Sequence, residues 1–345
     1  MPDPATHDVS LADVQAAAGR IAERVPATPM LTSRAAAWAV EERTGVRLAP
    51  GPSDDGQARL FLKAEHLQLT GSFKPRGALN RVMQLDADER RRGIVTLSAG
   101  NHAQAVAWAA ASYGVPVTVV MPLGASRAKV AATEGYGATV ILHGEHVGDT
   151  FTEMERLRHE RGLVYLPPFD DPDVIAGQGT VGLEIVEQLP SVDVIVVGVG
   201  GGGLISGIAS AVRRLRPGAR VYGVEPERSN ALSLALAAGK VVPLAPVSIA
   251  DGLGAPFAGV WTLDIVRRLV TEVVIVDEPT IARGVVFALE RCKQLLEPAG
   301  AAALGAVLAD CIPLYDGETV CVVASGGNVD LARLDEIRGL AARGA

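Results

Sequence analysis

Short apolar runs alternate with helical patterns over most of this chain, and that alternation limits its fold more than any other feature. Strand candidates fall at 94–97, 115–121, 139–142, 192–199, 220–224, 273–276 and 319–324. Helical patterns fall between them at 103–112, 125–134, 149–161, 204–215 and 280–295. Ser10 heads an earlier amphipathic helix through Leu11, Val14, Ala18 and Ile21. Strand–helix alternation at this spacing predicts an α/β fold built from βαβ units, with mostly parallel sheets covered by helices on both faces. Ligands in such folds sit beyond the carboxyl ends of strands, so the residues after each apolar run carry the functional argument. Residues 45–58 (Gly45, Pro50, Gly51, Pro52, Ser53, Asp54, Asp55, Gly56) read as an exposed loop.

The strongest such segment is Val196-Val197-Gly198-Val199-Gly200-Gly201-Gly202-Gly203-Leu204. Four glycines between a strand and a helix let backbone amides close on a phosphate at the positive end of the helix dipole. The same residues match the dinucleotide pattern Gly198-x-Gly200-x-x-Gly203, with Glu225 ending the next strand where a ribose-binding acid would stand. On this segment alone, a phosphate site and an NAD-dependent dehydrogenase are level.

Lys74 lies in Thr70-Gly71-Ser72-Phe73-Lys74-Pro75-Arg76-Gly77-Ala78. The proline predicts an extended or turn conformation for Lys74 rather than a helix interior. An apolar stretch (Leu60, Phe61, Leu62, Leu67, Leu69) precedes it, which places the amine at the edge of a core. A neutral amine there is a nucleophile that forms imines, most usefully with pyridoxal phosphate (PLP). Taken alone, a solvated surface lysine is the commoner reading. Ser98-Ala99-Gly100-Asn101-His102 follows a strand and opens a helix, so its polar groups suit a carboxylate or a ring hydroxyl; an ordinary cap and a core histidine are the plainer readings. Glu297-Pro298-Ala299-Gly300 and Ser325-Gly326-Gly327-Asn328 end elements in the small polar residues of a pocket wall.

Several functions are disfavoured. A net charge of -7 and an aromatic content of 4% are wrong for nucleic-acid binding. There is no GxSxG elbow. His143 and His146 have the spacing of a metal pair but lack a carboxylate cluster, and read as solvent-facing. Cys292, Cys311 and Cys321 have no paired spacing and read as reduced, buried thiols of a cytoplasmic protein. No signal peptide is read at Met1-Pro2-Asp3-Pro4, and no apolar run is long enough to span a membrane.

With these segments in this order, and with Ile175-Ala176-Gly177-Gln178-Gly179-Thr180 between them, the chain resembles the fold-type-II PLP enzymes from about Thr28 to Val329. Within them it looks most like the threonine/serine dehydratase (ammonia-lyase) and serine racemase group. The resemblance implies a tryptophan synthase β-like fold of two open, twisted, mostly parallel sheets. Residues 1–88 and 165–345 would form the large PLP-binding domain and 89–164 a small mobile one. It implies that Lys74 holds PLP as a Schiff base and moves the Cα proton, with Phe73 beside the ring. Asn101 would bond the ring hydroxyl, and Gly200, Gly201, Gly202, Gly203 and Leu204 the phosphate. Ser325 would meet the ring nitrogen, ahead of Asp330, and Glu297 would complete the cofactor site. Ser98, Ala99, Gly100, Asn101 and His102 would take the substrate carboxylate. The implied reaction is β-elimination from L-threonine or L-serine to a 2-oxoacid and ammonia, in a homodimer or homotetramer.

Departures refine this. Racemases of the group carry a second serine where this chain has Ala99, which favours elimination over racemisation. A family divalent-cation site would begin at Glu225, but the carboxylate expected six residues on is Ala231, so cation binding, divalent or monovalent, is left open. The stretch Asp251-Gly252-Leu253-Gly254-Ala255-Pro256-Phe257 departs from the group's usual wording. No C-terminal regulatory domain is expected after Ser325. Other β-hydroxy amino acids, such as hydroxyaspartate or phenylserine, remain alternative substrates.

Overall fold

The computed structural model describes residues 7–52 and 55–344. The Met1-Pro2-Asp3-Pro4 terminus and the Ser53-Asp54 tip of the expected loop lie outside these residues. The strands, in chain order, are β1 (Met30–Ser33), β2 (Leu60–Lys63), β3 (Ile94–Leu97), β4 (Val117–Met121), β5 (Thr139–Leu142), β6 (Val164–Tyr165), β7 (Val194–Gly198), β8 (Arg220–Pro226), β9 (Glu272–Val276) and β10 (Val320–Val323). Among the described residues they form two sheets, ordered β1-β2-β10-β7-β8-β9 and β5-β4-β3-β6. Every pairing is parallel except β1 with β2. The chain is therefore the expected α/β protein with two mostly parallel sheets.

The central strands β2, β10, β7 and β4 are buried along their whole length. Their Val- and Ile-rich sequences suit strands covered on both faces, where alternation with polar residues disappears. Two apolar layers enclose the six-stranded sheet. One joins Val194, Val196, Val320 and Val322 to the wholly apolar helix Pro298–Leu308. The other joins Ile195, Val197 and Cys321 to helices Pro172–Gln188 and Gly203–Leu215. The smaller sheet has its own core of Ile94, Val106, Val117, Val119 and Met121. All of its strands lie between residues 94 and 165.

Most expected elements are present, with ends shifted by a residue or two. The expected 280–295 helix divides into Glu278–Phe287 and a π-helical turn Ala288–Cys292, ended by Lys293 at φ 58°. Strands β1, β2 and β6 are too short to show a period of two. The 45–58 loop is exposed at Asp55, Gly56 and Gln57, but Leu48 plugs into the main core.

Candidate active site

Lys74 is the first residue of helix Lys74–Met83, not an extended residue as its proline suggested. Phe73 is already helical at φ -61° and ψ -17°. Pro75 falls in the first turn, where a missing N–H breaks no helical hydrogen bond, so the ring is tolerated. The helix buries Pro75, Arg76, Gly77, Ala78, Leu79 and Asn80. Arg76 anchors it: its guanidinium meets Glu65 at 2.7 and 2.8 Å, Glu184 at 2.6 and 3.0 Å, and Thr180 at 3.0 Å. Lys63 bonds Glu184 at 2.5 Å and the Thr28 carbonyl at 2.7 Å. Burial alone would lower the pKa of Arg76, but the two carboxylates win and raise it, so the guanidinium stays charged. Two cations thus balance two carboxylates and fix the start of the Lys74 helix.

Lys74 is half-buried, with its amine shielded from solvent. Its Nζ donates to the Pro168 carbonyl at 2.8 Å and lies 5.1 Å from the centre of the Phe73 ring. Burial lowers its pKa from 10.5 to about 8. At neutral pH about a tenth of the amine is then free base, against less than about a thousandth for an ordinary lysine. That is the preparation a nucleophilic lysine needs.

The loop 98–101 leaves β3, and the Gly100 N–H donates to Ser98 Oγ at 3.1 Å. Asn101 opens helix Asn101–Ala111. Its Nδ2 donates to Glu297 Oε1 at 2.6 Å, and its Oδ1 accepts from Asn328 Nδ2 at 2.8 Å. Ala99 packs on the core of the smaller sheet. His102 is turned inward: its Nε2 lies 3.0 Å from Thr96 Oγ1 and 3.1 Å from the Leu166 carbonyl. Burial, and then the nearby charge of Lys74, lower its pKa to about 3. The His102 ring is therefore a neutral support for the loop, and its backbone is what it offers a ligand.

Residues 325–327 follow β10 and are stitched to the Lys74 strand-turn. Ser72 bridges Gly326, the Phe73 N–H donates to the Ser325 carbonyl at 3.1 Å, and the Gly327 N–H to the Gly71 carbonyl at 2.9 Å. Glu297 closes the other side, its N–H donating to the Gly326 carbonyl at 3.1 Å. A side chain at Gly326 would begin 2.1 Å from Glu297 Oε1, so any other residue must displace that carboxyl. Burial raises the Glu297 carboxyl to about 7, against the pull of Asn101. Lys74, Asn101, Glu297 and Ser325 are thus tied into one hydrogen-bonded cluster of segments. Asp330, the alternative to Ser325, is exposed and caps a short turn through Ala332.

The glycine run leaves β7 at Gly198 and enters helix Gly203–Leu215 through Gly202 at φ 94°. The helix start has no side-chain cap, which leaves its first N–H groups available to an anion. Phe169 covers Gly201 and Gly203, and its neighbour Pro168 holds Lys74. Thr262 Oγ1 pins the loop by donating to the Gly201 carbonyl at 2.8 Å. Leu204 is buried in the core behind it.

This pocket wall fits PLP. An amine near neutrality, an uncapped glycine-helix start and a carboxyl–amide pair face one region. Two hydroxyls there are also under-bonded: Ser72 Oγ is buried with no partner, and Ser325 Oγ lies 3.5 Å from its only acceptor, Ala299 O. Hydroxyls left this way are free to bond ligand atoms. A model of pyridoxal-phosphate dependent enzymes matches residues 38–326.

The chain belongs to the pyridoxal-phosphate dependent enzymes.

It is 42% identical over 300 residues to the catabolic L-threonine dehydratase TdcB of Escherichia coli, covering 86% of this chain and 91% of that protein. It is 39% identical over 322 residues to the L-threo-3-hydroxyaspartate ammonia-lyase of Saccharomyces cerevisiae, covering 93% and 94%. Its fold matches the structure of maize serine racemase with a TM-score of 0.86 at 35% identity, over 98% of this chain and 99% of that one. Membership removes the NAD reading of the glycine run. Glu225, the acid that favoured it, is spent locally: it accepts from the Leu232 and Ser233 N–H groups at 2.9 Å each and from Ser233 Oγ at 2.6 Å. The same bonds occupy Glu225 against the cation site. His143 and His146 are both exposed, and among the described residues no group of three or more His, Cys, Asp or Glu is placed to hold a metal. Also among the described residues, no helix is long and apolar enough to cross a membrane.

Sequence reasoning missed Asn328 as the partner of Asn101, Pro168 as the acceptor of Lys74, and the Glu65–Arg76–Glu184–Lys63 cluster. The last had a faint signal, a charged residue beside each of two apolar runs. The Pro168 carbonyl had none, because any residue supplies one.

Proposed function

We propose that this protein is a PLP-dependent ammonia-lyase that removes water from L-threonine or L-serine, releasing 2-oxobutanoate or pyruvate and ammonia. The observation that carries this is the Lys74 amine, lowered to about 8 and bonded to the Pro168 carbonyl next to the Phe169 ring that packs on the glycine loop.

Lys74 would hold the cofactor, with Phe73 against its ring, Asn101 at its ring hydroxyl and Glu297 bracing Asn101. Gly200, Gly201, Gly202, Gly203 and the start of the Leu204 helix would hold the phosphate, and Ser325 the ring nitrogen. PLP bound there supplies an electron sink for the Cα–H bond. The backbone of Ser98, Ala99, Gly100, Asn101 and His102 would orient the substrate carboxylate. When not holding the cofactor, Lys74 Nζ would be a free base for the Cα proton. The β-hydroxyl then leaves with a proton, and the enamine left behind hydrolyses to the 2-oxoacid and ammonia. The alanine at position 99 offers no acid or base to the opposite face of Cα, so elimination outruns racemisation. The hydroxyl of Ser325, unlike a carboxylate, does not hold the ring nitrogen protonated, which favours prompt loss of the β-substituent. Residues 1–88 and 165–345 would form the large domain of a homodimer or homotetramer, and 89–164 a small one that closes on the substrate.

The yeast relative gives L-threo-3-hydroxyaspartate as a second candidate substrate. A 2-oxoacid assay with L-threonine, L-serine and L-threo-3-hydroxyaspartate tests the proposal. The reading expects turnover of threonine or serine, with little D-serine by chiral assay. No 2-oxoacid from any of the three removes the lyase assignment.

A further inference from the structure

One ion pair joins the unit built on the smaller sheet to the cofactor side of the protein. Lys129, on helix Arg127–Gly135, meets Asp251 at 2.5 Å, across 122 residues of sequence. Asp251 begins the short turn Asp251–Leu253. That turn sits between two walls of the active site. A side chain at Gly252 would begin 2.9 Å from Ala299 and 4.0 Å from Glu297 Oε1, and one at Gly200 would begin 3.2 Å from the Leu253 backbone. A pull on Asp251 is therefore felt at both the Asn101–Glu297 pair and the glycine loop.

The other end of the pair is loosely anchored. Thr133 is the one residue of helix Arg127–Gly135 that is buried, and its hydroxyl bonds back to the Lys129 carbonyl rather than to a neighbouring element. A helix with so little buried surface opens at small cost. Arg333 also lies in the field of Asp251, but it is bound to Glu336. Lys129 thus supplies an ion pair across the gap, in addition to the Asn101 bonds to Glu297 and Asn328.

We propose that Lys129 and Asp251 form a latch that holds the smaller-sheet unit closed over the substrate, so that Lys129 is a positioning residue for the elimination. In its kinetic consequence the inference rests on the lyase reading above. The pair is partly exposed, so its strength is that of a surface ion pair, equivalent to about a two- to five-fold bias toward the closed form.

A double-mutant cycle on the holoenzyme tests this, using Lys129→Ala, Asp251→Asn and the pair together. The readouts are KM and kcat for L-threonine, and amide hydrogen exchange of 127–135. The latch predicts that each single change raises KM by about two- to five-fold. The double variant should be no worse than either single one. Exchange of 127–135 should quicken in all three, and Lys129→Arg should restore both readouts. At about 1 M salt the wild type should behave like the variants. Unchanged exchange, or effects that add, would overturn the latch. A wild type that makes no 2-oxoacid would overturn the lyase reading alone, because the exchange measurement still decides the latch.

Discussion

Replacing Lys74 with methionine should make the PLP-free protein more stable at neutral pH, although it destroys the proposed function. The buried amine titrates near 8 instead of 10.5. That gap corresponds to about 3 kcal/mol of cost for keeping the charged form inside the protein. Methionine has similar length and carries no charge, so it removes that cost. It also strands the Pro168 carbonyl, which returns about 1 kcal/mol, leaving a net gain of about 2 kcal/mol. The pH dependence identifies the cause. Between about pH 8 and 10.5 the unfolded chain holds a proton that the folded chain has released, so wild-type stability rises with pH in that window. The advantage of methionine should therefore shrink by about 1.4 kcal/mol per pH unit above 8 and vanish near pH 10. Urea unfolding at pH 7 and pH 10, at one fixed protein concentration, measures it. A variant no more stable at pH 7, or a gain equal at both pH values, would refute the picture of a desolvated, primed amine.

Three further outcomes test other parts of the site. Glu297 has a folded-state pKa of about 7 against 4.5 unfolded, so it contributes stability below about pH 4.5 that is lost as pH rises to 7. Glu297→Gln should flatten that fall, by at most about 3 kcal/mol, in unfolding curves at pH 5 and pH 7.5. Arg76→Met leaves Glu65 and Glu184 facing each other without their guanidinium and should cost about 3–5 kcal/mol in urea unfolding. Gly326→Ala should push Glu297 away from Asn101, costing about 1–3 kcal/mol in thermal or urea unfolding and weakening PLP binding by spectroscopic titration.

The sequence made the architecture readable where an apolar strand leads into a glycine-rich or small polar loop and then a helix. β7 with its glycine run and β3 with its Asn101 loop are both legible in the sequence. The short strands β1, β2 and β6 carried too few residues for a period to emerge. The helix Pro298–Leu308 is apolar all round, so it lacks the one-sided stripe that identifies a surface helix. Candidate-site residues with a special backbone or a special side chain stand out in the sequence, as Lys74, Gly202 and Ser325 do. Groups that act through a carbonyl or through a distant partner were not. Pro168 contributes only its oxygen to Lys74, and Asp251 reaches Lys129 across 122 residues. For Lys74 the sequence suggests an extended conformation where the structure has a helix, because a proline at the second residue of a helix looks locally like a helix breaker.

The central claim is that Lys74 carries the cofactor, and one measurement addresses it directly. The holoprotein would be reduced with borohydride, digested and mapped by mass spectrometry for a covalent pyridoxyl group. The account predicts that group on Lys74 alone, with none recovered from Lys74→Ala. A pyridoxyl group on another lysine, or an unmodified Lys74 in protein that retains PLP, would contradict it.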